Sequence, residues 1–201
     1  MGSVPRPEGR NRMTGQTGHK AGDEVSYTIT YLEMGSRPTY GWPPTPAGMT
    51  GALLRAERPP VWYFRALYDA VGRDYAWTDL HEREETEISD WLGDPDVGLY
   101  SLIDHGWPHG FFVLDWRAGA TCDLCYFGLV PQAVGRGFGS WMLRTAILTA
   151  WAREGVKMLQ VNTCTLDHPR ALAQYQKHGF APVRQEHRSR VLTRNWSPAQ
   201  N

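Results

Sequence analysis

The sequence predicts an α/β (α+β) fold, a mixed sheet flanked by helices, on three observations. Segments rich in β-branched and aromatic residues alternate with segments of helical period. Three strand-like runs follow one another across short turns, at 99–103, 111–116 and 122–130. The last of these stops at Pro131, and a loop with alternating glycines, Gly135-Arg136-Gly137-Phe138-Gly139, leads directly into a helix.

Taken in order, 25–32 reads as the first strand. A Pro-rich loop at 35–48 contains Trp42-Pro43-Pro44. A helix is predicted over 60–71, with Pro60 near its first turn and Trp62, Phe64, Leu67, Tyr68 and Val71 at helical spacing. Thr78 or Asp79 can cap a second helix reaching Leu92, whose apolar face is Leu80, Ile88, Trp91 and Leu92. Asp94-Pro95-Asp96 is a turn, and Asp104-His105-Gly106 and Ala118-Gly119 look like hairpin loops between the three central strands. A helix at 139–154 ends near Gly155, a C-cap residue. A strand at 157–163 and a helix at 169–178 follow, and 180–183 and 187–193 are expected to form a closing hairpin. Residues 1–22 hold almost no large apolar side chain, so a tail is expected there, followed by one domain over 23–196.

Composition excludes several classes of function. The 21 Lys and Arg balance 21 Asp and Glu, and the pI is about 7.1, so no global basic field draws the chain to nucleic acid. No apolar run approaches a membrane span, and the N-terminus lacks the apolar stretch of a signal peptide. Three cysteines, Cys122, Cys125 and Cys164, do not make a disulfide framework. Cys122-x-x-Cys125 has no second pair to complete a metal site, and its spacing on a strand points the thiols to opposite faces. A cytoplasmic protein with no metal is expected.

The glycine loop carries the most chemistry. Glycines take φ > 0 without penalty and let backbone approach a ligand closely. The first N–H groups of the following helix are unpaired and lie at the positive end of its dipole, which suits a phosphate or pyrophosphate. The loop is not a P-loop, because Gly139 is followed by Ser140-Trp141 and there is no lysine. Nor is it a dinucleotide fingerprint, since it reads G-x-G-x-G and lies far from any first strand. The alternative reading is a tight strand-to-helix turn without a ligand.

Two motifs in order favour a ligand. The strand ending in Val130-Pro131 with its Arg-Gly-x-Gly loop, and the later Ala171-x-x-x-Tyr175-x-x-x-Gly179-Phe180, together resemble the GNAT acetyltransferase superfamily. The resemblance spans roughly 25–193 and is most specific over 123–180; Thr163 to Pro169 is similar to an uncharacterised bacterial subgroup. It implies a mostly antiparallel sheet that splays between its fourth and fifth strands, with acetyl-CoA entering the wedge. Its cofactor residues map to Phe127, Leu129 and Val130 on the strand and to Val134, Gly135, Arg136, Gly137, Phe138, Gly139 and Ser140 in the loop. Gly128 lies on the same stretch of strand. The chain departs from the family's pattern at Val134, where Arg or Gln is usual, and at Asp167-His168-Pro169, where Asn is usual.

The resemblance also implies that Tyr175 protonates the leaving thiolate; packing of an amphipathic tyrosine at a helix–sheet interface is the other reading. Asp123 stands where the family places a carboxylate base, or it is a solvated group past a turn. Tyr126 is a second substrate-site candidate. Strand alternation sets it on the opposite face from Asp123 unless a bulge intervenes. Asp167 and His168 read as a helix cap in preference to an acid–base pair. The many aromatics of the N-terminal half, Trp42, Trp62, Tyr63, Trp77 and Trp91, either line an acceptor site, as the resemblance implies for this region, or pack the core. Glu82, Glu84, Glu85 and Glu87 either attract a cation or form a solvated face. The expected function is direct acetyl transfer to a primary amine of a small molecule, with a homodimer possible. The alternatives are acetylation of a peptide Lys or N-terminus, and a coenzyme A-binding module without turnover.

Overall fold

In the computed structural model, which describes residues 18–197, most elements arise from segments of matching period. The strands are β1 (Glu24–Met34), β2 (Ala52–Ala56), β3 (Val97–Asp104), β4 (Trp107–Asp115), β5 (Thr121–Leu129), β6 (Met158–Cys164) and β7 (Ala181–Val191). The helices are α1 (Val61–Gly72), α2 (Glu85–Gly93), α3 (Phe138–Ala152) and α4 (Ala171–Lys177). All seven strands join one sheet in the order β2-β3-β4-β5-β6-β1-β7. Every pairing is antiparallel except β5 with β6.

That parallel pairing is the hinge of the architecture. Only Thr121 to Asp123 pair with β6, against Met158 to Gln160. Beyond Asp123 the two strands diverge, and the sheet opens into a wedge between its fourth and fifth strands in spatial order. One core fills the space between the helices and the sheet. Phe64, Tyr68, Phe111, Phe112 and Phe138 are its largest fully buried side chains. Two glycines make room at the end of α1, Gly128 for α1 on β5 and Gly72 for the Trp77 ring. A Cβ on Gly128 would fall 2.3 Å from Val71 Cγ1, and one on Gly72 would fall 2.5 Å from Trp77 Cβ.

Two expectations are corrected, and one strand is added. β1 lies in the far wing between β6 and β7, and the short edge place beside β3 goes to β2, which periodicity does not reveal because its residues are mostly exposed. The closing hairpin is one 11-residue strand, β7. Arg184-Gln185-Glu186 contains no residue suited to φ > 0, and β1 is long enough to pair with it throughout, with one bulge beside Pro182. The helix expected over 78–92 breaks in two. Asp79–Glu82 is a 3-10 turn, Arg83 and Glu84 are extended, and α2 begins at Glu85. Neither Thr78 nor Asp79 caps it. The Thr78 hydroxyl accepts from Arg190, and the Asp79 carboxylate accepts from two tyrosines. Of the tail expected over 1–22, residues 1–17 lie outside the described residues, and His19 forms a backbone bridge with Trp196.

The hairpins follow the sequence more closely. His105 and Gly106 form the two-residue β3–β4 turn with φ of 50° and 84°, the left-handed pair such a turn requires. Among the described residues, no helix is long and apolar enough to cross a membrane.

Candidate active site

A cavity of about 1230 Å³ occupies the wedge and runs from the glycine loop to the α1–α2 connection. One end is lined by Leu129, Val134, Gly135, Gly137, Gly139 and Ser140; the middle by Phe127, Gly128 and Tyr175; the other end by Trp77, Asp79, Glu82, Trp91, Asp123 and Tyr126. It exceeds the volume of an ordinary single-ligand pocket, typically about 300–1,000 Å³.

The loop end is backbone. Gly135 has φ 84° and Gly137 φ 82°, and a Cβ on either would meet no atom within 4 Å, so their faces stand open to a ligand. Gly137 is the N-cap of α3, and no side chain caps that helix. The first-turn N–H groups therefore face the cavity without a protein partner at the positive end of a 15-residue dipole. These features fit a pyrophosphate.

Not every expected loop residue faces this space. Phe138 and Val130 are buried, and the Val130 N–H donates to the His109 carbonyl. Arg136 turns away to the β3–β4 hairpin. Its Nη1 lies 3.2 Å from His109 Nε2, its Nη2 3.7 Å from Asp104 Oδ2, and its guanidinium 4.6 Å from the Phe138 ring centre. Ser140 lines the cavity and pairs with the buried His178 at 3.1 Å; His178 Nδ1 donates to the Gln174 carbonyl at 2.8 Å, so Nε2 accepts from the Ser140 hydroxyl.

Tyr175 sits in the middle of the cavity, packed edge-on against Phe127 and Phe180. Burial, with a smaller push from the Asp167 charge, raises its phenol well above its ordinary value. It therefore stays protonated across the working pH range and has a proton to give. Tyr175 is packed, as one reading had it, and it also faces the cavity.

β5 carries a bulge that decides the geometry of the acid end. Leu124 pairs with Leu114 and Tyr126 with Val113, which leaves Cys125 as the extra residue. Asp123 and Tyr126, three positions apart, consequently emerge on the same face, and both line the cavity. Burial raises the Asp123 pKa, the Cys125 thiol offsets part of that rise, and the neighbouring Asp115 charge adds a smaller push upward. Asp115 goes the other way. Although burial raises it, the Arg117 guanidinium at 2.7 Å and the Trp91 indole N–H at 2.8 Å hold it below the usual range. Two cross-strand carboxylates are thus pushed apart, Asp115 down and Asp123 up.

Asp79 binds the acid end together. It accepts from the Tyr68 hydroxyl at 2.7 Å and the Tyr126 hydroxyl at 3.2 Å. Tyr126 is walled by Phe64, Tyr68, Trp77 and Trp91, with ring centres 5.5–6.2 Å away. Of the aromatics considered from sequence, only Trp77 and Trp91 reach this wall. Trp42 and Trp62 are exposed, and Tyr63 donates to Ser101. Of the four glutamates, only Glu82 lines the cavity. Asp167 is not the expected cap of α4. It accepts from Cys164 N–H, Thr163 Oγ1 and the Trp77 indole, tying the end of β6 to the α1–α2 connection. His168 meets the Arg170 N–H instead, at 3.1 Å. Cys122, Cys125 and Cys164 are unpaired, and burial raises all three thiols, Cys164 to about 12, which removes them as nucleophiles.

Asp79 and Asp115 were not singled out as site residues by the sequence. Asp79 was read as a helix cap, and Asp115 lay inside a predicted strand.

A profile of the acetyltransferase (GNAT) family matches residues 64–180, more than half of the chain. The chain belongs to the GNAT acetyltransferase family, whose members use acetyl-CoA as cosubstrate. Solved structures share the fold. A GNAT-family protein of Novosphingobium aromaticivorans aligns with TM-score 0.57 at 15% identity over 82% of this chain and 63% of its own. A GCN5-related N-acetyltransferase of Sphaerobacter thermophilus aligns with TM-score 0.56 at 18% identity over 87% and 53%. One of Kribbella flavida gives TM-score 0.52 at 17% identity over 88% and 59%. The chain thus spans a little over half the length of these structures. No curated protein matches it in sequence.

Proposed function

We propose that this chain transfers an acetyl group from acetyl-CoA directly to a primary amine of a small, cationic molecule. The observation that carries the reading is the single cavity joining an open glycine-loop backbone, a protonated buried tyrosine and an unpaired, raised-pKa aspartate.

In this reading the N–H groups at Gly135, Gly137 and the start of α3 hold the pyrophosphate, and the diverging backbone of Phe127 to Leu129 holds the pantetheine arm. Asp123, directly or through a water, removes a proton from the ammonium form of the acceptor. The free amine attacks the thioester carbon, the carbon–sulfur bond breaks, and Tyr175 gives its proton to the departing thiolate. No cysteine acylation is needed.

Charge at the acid end supports the cationic class. Asp79, Glu82 and Asp123 face the cavity without a salt-bridge partner. Three of the four arginines that line the cavity are engaged elsewhere, Arg170 being the exception. Arg117 is paired with Asp115, Arg83 lies 3.9 Å from Glu87, and Arg190 donates to the Ala76 carbonyl and the Thr78 hydroxyl. The aromatic wall of Trp77, Trp91 and Tyr126 suits an ammonium or an apolar group beside it.

A thiol-release assay with acetyl-CoA and a panel of amines tests the proposal. Small amines carrying a second cationic or an aromatic group are expected as the best acceptors. Turnover of Lys-containing peptides but not of small amines would replace it with the peptide reading. Binding of coenzyme A without turnover of any amine would replace it with the non-catalytic one.

A further inference from the structure

Among the described residues, one cluster of ligand-type side chains outside the cavity lacks an explanation in acetyl transfer. It lies at the β3–β4 turn, where Asp104, His105 and His109 bring one ligand atom each to within 4.8 Å of one another. Asp104 is fully buried. Its Oδ1 accepts from the Thr50 N–H at 2.9 Å and the Thr50 hydroxyl at 3.1 Å. Its Oδ2 is buried without a well-formed hydrogen bond, with His105 Nδ1 3.0 Å away and Arg136 Nη2 3.7 Å away. His109 is also buried, and its Nδ1 is committed to the Trp107 carbonyl at 3.1 Å, which leaves the Nε2 lone pair free to accept.

Each of these details is a feature of a metal-binding group. A ligating histidine usually donates its second ring N–H to a carbonyl or carboxylate, and a ligating carboxylate is itself held by hydrogen bonds. The Arg136 guanidinium, touching both His109 Nε2 and Asp104 Oδ2, places a positive charge where a metal would sit. Arg136 is substantially exposed and comes from the glycine loop, so it can leave without disturbing the hairpin.

We propose that Asp104, His105 and His109 form a binding site for a divalent transition metal, Zn²⁺ being the best match, and that Arg136 competes with the metal for it. Imidazole nitrogens and a carboxylate oxygen suit Zn²⁺, with water completing a tetrahedron at about 2.0–2.2 Å. Three neutral or anionic ligands leave a local charge of about −1, which a dication overcompensates, so the guanidinium swings out when the metal enters. The site is structural and lies outside the proposed chemistry.

Zn²⁺ alone, titrated calorimetrically into the full chain near neutral pH, tests the site. Co²⁺ provides a visible spectrum that reports tetrahedral coordination. One equivalent is expected to bind with a micromolar dissociation constant. His105→Ala, whose side chain is exposed in the turn, is expected to weaken binding at least about tenfold. Arg136→Gln is expected to tighten it several-fold. Asp104→Asn also removes binding but can compromise folding, so His105→Ala carries the test. Absence of binding, or binding unchanged in His105→Ala, overturns the site. Affinity unchanged or reduced in Arg136→Gln overturns the competition.

Discussion

The two ends of the cavity are built in opposite ways. At the loop end the proposed ligand groups are main-chain N–H groups from one contiguous stretch, the end of β5 and the start of α3. At the acid end they are side chains from the α1–α2 connection, α2, β4 and β5, assembled across the sheet. A site made of backbone needs only residues that leave the backbone free and bent correctly. A site made of side chains needs each carboxylate and ring aimed by a different element. The first tolerates Val134 where the family has a polar residue; the second depends on a one-residue bulge at Cys125.

The contrast predicts where substitutions act. The largest effect belongs to the acid end. Asp123→Asn should lower kcat by about 10²–10⁴-fold while leaving acetyl-CoA affinity intact. It should also raise the melting temperature at neutral pH. Burial and Asp115 raise the Asp123 pKa in the folded state, so ionising it costs stability as pH climbs through that value. Below about pH 4, where the group is protonated folded and unfolded alike, the advantage of Asn should vanish. Thermal melts across pH check this; equal melting at neutral pH would mean that Asp123 is solvated.

Tyr175→Phe should lower the maximal rate by roughly 10²-fold with little change in acetyl-CoA binding, which steady-state kinetics beside calorimetry resolve. Equal activity would remove Tyr175 from the chemistry and leave only its packing.

Gly128→Ala lies where the two ends meet. Its Cβ would run into Val71, and overpacking of this kind costs about 1–3 kcal/mol in a urea titration. A neutral result would show that α1 can shift away from β5, and the acid end would then not be rigidly held.

The smallest effect sharpens the comparison within one helix connection. Glu82→Gln should raise the acceptor KM by up to about fivefold, the scale of a solvent-exposed charge, whereas Glu85→Gln should leave it unchanged. Equal effects would mean that the glutamates act as a diffuse field.

The same contrast explains what the sequence made legible. The glycine loop and Tyr175 could be picked out directly, because each is tied to a local motif of fixed spacing. The splay between the fourth and fifth strands came only with the family resemblance, and its start after Asp123 only with the structure. The bulge could be raised only as a possibility, since pairing two residues against one depends on β4. Asp79 and Asp115 were hidden behind ordinary local roles. Their contacts, to Tyr126 and Trp91, span 47 and 24 positions of sequence. The placement of β1 was illegible for a related reason. A strand's period reports its two faces but not its neighbours, and β1 finds them at β6 and β7, more than a hundred residues away. Arg136 shows the limit of motif transfer: the residue matches the family's loop, yet its side chain serves the β3–β4 hairpin.

The most direct test of the account is calorimetric titration of acetyl-CoA and of coenzyme A into the wild-type chain and into Gly135→Val/Gly137→Val. The backbone cradle predicts micromolar binding of both ligands to the wild type and its loss in the variant, where side chains fill the open faces and strain the positive φ angles. Failure of either ligand to bind the wild type, or equal binding by the variant, would contradict it and reduce the loop to a strand-to-helix turn.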